Sequence, residues 1–489
     1  MVFSSTIFIC FFLPVVILVY YILPNRFRNI FLLAASMLFY AWGEPKYVLI
    51  MLASIVGNYL FGIILHKVND KGILCRRLIV ILSILYNLGI LFYFKYYVFT
   101  IEIVNEFLHS NLTLPEIVLP IGISFYTFQG LSYVIDVYRE DGKLDANGDQ
   151  QEYVQKNPIN LALYISMFPQ LVAGPIVRYD AIKESLKKRT LSTSLFAAGV
   201  ERFIIGLGKK AILANSIGEV SDKIFGSDYT MMGTATAWLG ALCYTLQIYY
   251  DFSGYSDMAI GLGKMFGFHF NENFDYPYIS KSVREFWRRW HISLSSWFRD
   301  YLYIPLGGNR KGELRTYLNL LIVFIATGIW HGAAWGFLIW GLWHGLFSIL
   351  ERLSGRISFK FKIPGFLKWI YTMLVVMLGW VLFKVVLLED ALSYIAVMFH
   401  AHNPSYTAFS TRYYLDNKLI FLLVIAILAA IPWKTILKGK AGAILNELPT
   451  LEPQNPIVIT RRLLLTGVLL ISMMFIMNNT YNPFIYFRF

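Results

Sequence analysis

RTYLNLLIVFIATGIWHGAAWGFLIWGLWHGLFSILE, running from Arg315 to Glu351, decides how this chain is read. Between the two flanking charges lie 35 residues without Asp, Glu, Lys or Arg. A bilayer is crossed by a helix of ~20 apolar residues, so the stretch asks for lipid and not water. His331 sits near its middle, in Thr327-Gly328-Ile329-Trp330-His331-Gly332.

The rest of the 489 residues agrees. Hydrophobic residues make up 57% of the chain and charged residues 15%, too few charges for a water-soluble surface. Mean hydropathy is +0.55. Apolar runs recur at Met1–Tyr21 and at about 29–42, 47–65, 78–94, 117–138, 159–177, 195–214, 231–262, 317–350, 366–388, 417–432 and 462–477. They predict an all-α, polytopic membrane protein with ten to twelve membrane segments. A soluble enzyme, a disordered scaffold and a fibre are excluded, and nucleic acid is a poor partner. No internal repeat relates the two halves and no flexible linker divides the chain, so one membrane domain, 1–489, is expected.

The net charge of +13 is explained by the tendency of Lys and Arg to stay in cytoplasmic loops. Connectors at 66–77, 178–189, 281–311 and 351–368 are basic and expected inside, whereas 100–116 is acidic and suits the outside. Arg26 and Arg28 follow the first apolar run, which has no basic n-region, so it reads as a retained span with its N-terminus outside. Strict alternation cannot satisfy every connector. The conflict centres on runs broken by Pro and Gly, Leu119-Pro120-Ile121-Gly122 and Val172-Ala173-Gly174-Pro175, which suit re-entrant segments around a buried site. Cys10, Cys75 and Cys243 show neither disulfide nor zinc spacing and read as packing residues.

An ionisable side chain within a membrane segment is a functional candidate by default, the alternative being a core histidine bonded to a carbonyl. His344, in Trp343-His344-Gly345, lies about 140° round a continuous helix from His331. It reaches the same face only if the chain breaks between them, for which Gly336 or Gly341 would serve, and it reads as structural. In the basic connector, a helix through Lys281–Asp300 would put Phe286, Trp290, Leu294 and Trp297 on one face with His291 beside it. That pattern fits a membrane-surface helix as well as a site. Seven Lys or Arg against two acids between Lys281 and Lys311, ending in Pro305-Leu306-Gly307-Gly308, could hold the phosphates of a nucleotide-bearing donor. Asp251 and Asp257 would lie on opposite sides of a helix, orienting a histidine or satisfying backbone at a break. His400-x-His402 lacks the partners of a metal site, and no metal is expected.

The run Trp287-Arg288-Arg289-Trp290-His291-Ile292-Ser293-Leu294-Ser295, then Arg299-Asp300-Tyr301, Pro305-Leu306-Gly307-Gly308 and Gly328-Ile329-Trp330-His331-Gly332, closely resembles the membrane-bound O-acyltransferase superfamily. Leu119–Phe125, Gln170–Arg178, Asp251–Asp257 and the tail Asn482–Phe487 resemble its bacterial alginate O-acetyltransferase branch, whose other members acetylate peptidoglycan, cellulose or wall polysaccharides. The matches cover about 115–345 plus the C-terminus, while 352–470 is similar only in hydropathy.

The resemblance implies helices around a central tunnel in the bacterial cytoplasmic (inner) membrane, with acetyl-CoA entering from the cytoplasm and a polysaccharide acetylated outside, helped by an extracytoplasmic SGNH-type acetyltransferase. In that family His331 corresponds to the buried histidine and His291 to the upstream polar residue. Attack of a hydroxyl on a thioester requires a base, and an imidazole with an ordinary pKa of about 6.5 suits neutral pH. His331 is thus the expected base and His291 the residue that orients the thioester, with Arg288, Arg289, Trp290, Ser295 and Arg299 about the donor, and Asp251, Asp257 and His344 as structural residues. D-alanyl transfer from a carrier protein and proton-coupled transport are the alternatives.

Overall fold

The structure, a computed structural model, describes residues 1–143, 151–172, 174–355, 363–400, 409–437, 455–478, 481–483 and 485. Every regular element among them is helical. Five helical segments are long and apolar enough to cross a membrane: Pro45–Lys67, Ile73–Leu108, Glu313–His331, Gly365–Lys384 and Pro456–Asn478. Phe8–Ile22 and Asn417–Ala429 are shorter apolar helices. Leu74, Leu78, Leu82, Leu85 and Phe92 all lie exposed along Ile73–Leu108. In water such a stripe would be an aggregation surface, whereas hydrocarbon solvates it. The described residues form two compact units, Met1–Val200 with Ala259–Asn271 and Glu201–Met258 with Glu272–Phe489.

In the first unit, hydrogen bonds hold neighbouring apolar helices together where lipid supplies no hydrophobic drive. Asn58 on Val48–Lys67 and Asn87 on Ile73–Leu91 exchange amide bonds, each Nδ2 donating to the other's Oδ1 at 3.0 and 2.9 Å. Both side chains are buried. The two Pro/Gly-broken runs differ in how far they are interrupted. Residues 158–171 form two short helices, Pro158–Ser166 and Phe168–Leu171, instead of a span. Gly122 (φ +76°) starts the buried helix Ile123–Glu140, and a Cβ there would sit 2.7 Å from the Leu171 carbonyl oxygen. The two broken segments therefore touch backbone to backbone, which only glycine permits at that φ.

The second unit corrects three expectations. The uncharged stretch after Arg315 is not one run: Glu313–His331 ends at the imidazole, Gly332–Ala334 is non-helical, and Trp335–Ser354 packs back along it. The break thus lies before Gly336 and Gly341. Those glycines instead let backbones meet: a Cβ on Gly341 would lie 2.4 Å from the Phe324 carbonyl oxygen, and one on Gly328 2.4 Å from that of Phe337. The basic segment is not one amphipathic helix either. Val283–Arg289 and Ile292–Phe298 are separated by an extended Trp290 and by His291 at φ +44°. Ser282 caps the first, accepting the Glu285 N–H at 3.0 Å, and Glu351 from the hairpin accepts the Val283 and Arg284 N–H groups at 2.6 and 3.1 Å. A carboxylate at a helix N-terminus meets both the orphan donors and the helix dipole, so the basic helix is docked onto the hairpin. Finally, Asp251 and Asp257 lie on one uninterrupted helix, Thr234–Met265, so neither serves a break.

Cys243 is buried, as a packing residue should be, but Cys10 and Cys75 are exposed. His402 lies outside the described residues, as do Phe484, Tyr486 and Phe487 of the tail.

Candidate functional site

His331 ends its helix because Gly332 turns extended (φ −174°) and leads into the break. Its side chain is buried, at 5% exposure. Three rings surround it nearly edge-on: Trp330 at 4.8 Å between centroids, Trp340 at 5.0 Å and Phe383 at 5.1 Å. Trp340 comes from the returning helix and Phe383 from Gly365–Lys384, so three helices meet at one imidazole.

Trp330 also faces His291, at 6.0 Å. His291 is held by Asn273, whose Oδ1 lies 3.1 Å from the imidazole Nδ1 and accepts from the Ser293 hydroxyl at 2.9 Å and the Ser293 N–H at 3.2 Å. Asn273 Nδ2 in turn donates to Ser256 Oγ at 3.1 Å. With Oδ1 as acceptor, Nδ1 carries the proton and Nε2 the lone pair. Burial pushes the His291 imidazole down, to about 3, so the ring is neutral at physiological pH. A left-handed backbone at a non-glycine residue is strained, and the Asn273 bonds hold it in place.

His344 joins the same aromatic cluster despite the 140° offset, because the chain reverses after His331. Its ring lies 5.2 Å from both Trp340 and Trp287. It is fully buried, and among the described residues neither ring nitrogen has a hydrogen-bond partner. It packs as an aromatic ring among Trp287 and Trp340.

The donor candidates divide. Arg288 is exposed. Arg299 is exposed too but lies 2.6 Å from Asp300. Arg289 is engaged by Asp275 at 2.8 Å and Glu285 at 3.1 Å. Trp290 is buried against Trp380 and Phe274, at 4.8 and 5.0 Å, and Ser295 is half-buried, its N–H donating to the His291 carbonyl. Asp251 and Asp257 engage cations and not a histidine. Asp251 pairs with Lys210 at 2.6 Å, both 2% exposed, and accepts the Ile485 N–H of the tail. Asp257 pairs with Arg202 and Lys209 at 2.6 and 2.7 Å.

Asn273 and Phe383 escaped sequence reasoning. Asn273 sits in a polar connector with no motif, and Phe383 in a run read only for hydropathy.

A sequence profile described as the membrane-bound O-acyltransferase family matches residues 90–389, a range that takes in both histidines, Asn273 and Phe383. A probable alginate O-acetylase of Azotobacter vinelandii is 44% identical over 404 residues, 82% of this chain and 78% of its own. One from Pseudomonas putida is 38% identical over the full length of both chains. A peptidoglycan O-acetyltransferase of Helicobacter pylori is 37% identical over 417 residues, 80% of this chain and 78% of its own. Apolar spanning helices, the meeting of His331 and His291 across one indole, and this breadth of similarity have one conclusion: the chain belongs to the membrane-bound O-acyltransferase family and is an acyl-transfer enzyme of the membrane.

Proposed function

We propose that this protein takes an acetyl group from acetyl-CoA on the cytoplasmic side and delivers it to a hydroxyl on the other side, for O-acetylation of an extracytoplasmic polysaccharide. An SGNH-type acetyltransferase is the proposed partner and the bacterial cytoplasmic membrane the proposed location. The observation that carries the reading is His331, an ionisable ring at the end of an apolar helix inside an aromatic enclosure. The names printed for the relatives supply the acetyl group and the polysaccharide.

In the proposed step the acceptor oxygen attacks the thioester carbonyl carbon. A carbon–oxygen bond forms and the carbon–sulfur bond breaks. The hydroxyl proton passes to the His331 imidazole and from there to the departing thiolate, which leaves as a thiol. His291, neutral and fixed by Asn273, orients the thioester. Arg288 is exposed and carries no carboxylate partner among the described residues, so it is the stronger candidate for phosphate contact, whereas the carboxylates on Arg289 and the Asp300 pair of Arg299 favour structural roles for those two.

The test is ester formation by purified protein in liposomes loaded with acetyl-CoA, paired with ester-bound acetate on surface polymers of cells carrying His331→Ala. A general base contributes ~10²–10⁴-fold, so transfer should fall by at least about a hundredfold while the protein stays folded. Wild-type transfer by the variant would remove His331 from the mechanism.

A further inference from the structure

Two connectors expected on the cytoplasmic side, the one holding Arg26 and Arg28 and the one ending at Arg189, meet in the first unit. Asn29, in the first turns of the helix Asn25–Gly43, ties them together. Its Nδ2 donates to the Leu186 carbonyl at 2.9 Å and to Asn160 Oδ1 at 2.7 Å, and its Oδ1 accepts from the Arg189 guanidinium. Arg189 stands over the Phe268 ring at 4.6 Å and the Tyr20 ring at 5.7 Å. Arg28 stands over the same Tyr20 ring at 5.2 Å. That ring is fixed, because the Tyr20 hydroxyl donates to the Phe266 carbonyl at 2.8 Å. Two guanidinium groups therefore share one phenol ring.

Among the described residues neither arginine forms an ion pair. Arg28 Nε donates to the carbonyls of Tyr20 and Leu23 at 3.2 and 3.1 Å and its Nη1 to Asn25, while Arg189 is held by Asn29. Glu184, in the same connector as Arg189, pairs instead with Lys187 at 3.8 Å. Burial pushes the Arg189 guanidinium down from its ordinary range, and the charge of Arg28 adds to that push. Arg189 Nη1 is buried and has no hydrogen-bond partner among the described residues. A charged donor in that state costs more than a neutral one. The helix Asn25–Gly43 begins at the same place with neither a side-chain cap nor an acid in its first turn, so its dipole adds to the positive potential.

Two guanidinium groups and a helix N-terminus are answered by an anion with several acceptor oxygens, and the planar fork of arginine matches a phosphate group in two bonds at once. The surroundings decide where that phosphate comes from. Ile22, Phe27 and Ile30, on the turns that flank Arg28, all lie exposed, and in a membrane protein such side chains face acyl chains. Basic pockets of this kind, between apolar helices on the cytoplasmic side, take lipid headgroups. We infer that Arg28, Arg189 and the start of the helix Asn25–Gly43 form a phosphate site for an anionic phospholipid of the cytoplasmic leaflet. The phosphate takes the unpaired Arg189 Nη1 and separates the two like charges, and the lipid's chains lie against Ile22, Phe27 and Ile30. The site belongs to the first unit and stands whether or not His331 is the base.

The experiment is native mass spectrometry of the full-length protein in detergent, titrated with dioleoyl phosphatidylglycerol and, separately, with dioleoyl phosphatidylcholine. The two lipids share their chains and their phosphate, and only the second carries a neutralising cation. The ratio of their dissociation constants therefore reads headgroup charge, and it is taken on folded molecules alone. Wild type should bind the anionic lipid at least about tenfold more tightly. Arg28→Gln and Arg189→Gln should each lower that ratio at least about threefold, and the double variant should bring it to parity. Arg26→Gln is the control for diffuse charge: Arg26 is exposed, its guanidinium over Phe27 at 4.7 Å, and its loss should leave the ratio in place. Glycerol 3-phosphate offers the phosphate without chains and should fail to displace the lipid at ~100-fold excess. Parity in wild type, a wild-type ratio in the double variant, or a loss in Arg26→Gln as large as that in Arg28→Gln overturns the inference. Displacement by glycerol 3-phosphate would give the site to a soluble phosphate and overturn the lipid assignment.

Discussion

Replacing Gly341 by Ala tests whether the hairpin's close crossing sets the geometry around His331. The new Cβ would lie 2.4 Å from the Phe324 carbonyl oxygen and 3.3 Å from Gly328 Cα, while ordinary contact begins near 3.4 Å. Both neighbours are helix backbone and cannot rotate away, so the two helices must part locally by about 1 Å. Overpacking of this kind costs about 1–3 kcal/mol. Trp340 adjoins the substituted residue and its ring stands 5.0 Å from His331, so the same displacement loosens the wall of the candidate site. A 1 Å misplacement is worth as much as ~10²-fold in rate. The assay is thermal unfolding in detergent together with initial rates of transfer per folded molecule. Gly467→Ala is the control: nothing lies within 4 Å of its new methyl on Pro456–Asn478, and Ala in a helix interior gains up to about 1 kcal/mol over Gly. Wild-type stability and rate in Gly341→Ala would refute the argument that backbone contact at this crossing positions the imidazole.

Removing one member of the buried Lys210–Asp251 pair, as in Asp251→Asn or Lys210→Met, should lower stability by about 3–5 kcal/mol, with the double variant less destabilised than the two added; thermal unfolding in detergent measures it. His291 has a folded pKa of about 3 against ~6.5 unfolded, so the unfolded chain binds more protons between those values. Its contribution is full above pH 6.5 and lost as pH falls toward 3. The melting temperature should drop through that window, and His291→Gln should flatten the slope; a variant melting with the wild-type pH dependence would contradict the assigned burial. Ser282→Ala removes the cap of Val283–Arg289 and should cost about 1 kcal/mol, read as a lower melting temperature.

Much of the architecture was legible because lipid imposes a simple rule on sequence. A span needs an uncharged run of fixed length, so 47–65 and 462–477 fall within segments that the structure forms as apolar helices, and 366–388 overlaps a third, Gly365–Lys384, running four residues past its end. Pro and Gly carry their own geometry, so the broken run at 159–177 could be recognised without a fold. His331 stood out for the same reason, as a titratable ring where charge is expensive.

What the sequence could not fix was which backbone breaks and which rings then meet. Hydropathy is blind to the Gly332–Ala334 reversal, since the residues on both sides are apolar. Yet that reversal alone brings His344 and Trp340 back beside His331. Helical spacing likewise ran Lys281–Asp300 through as one helix, because periodicity does not register a left-handed His291 held by Asn273, a residue 18 positions away. Local chemistry, the capacity to span or turn, is written in neighbouring residues. The enclosure of an imidazole by Trp340 and Phe383 is a relation between distant segments, decided only when three helices pack.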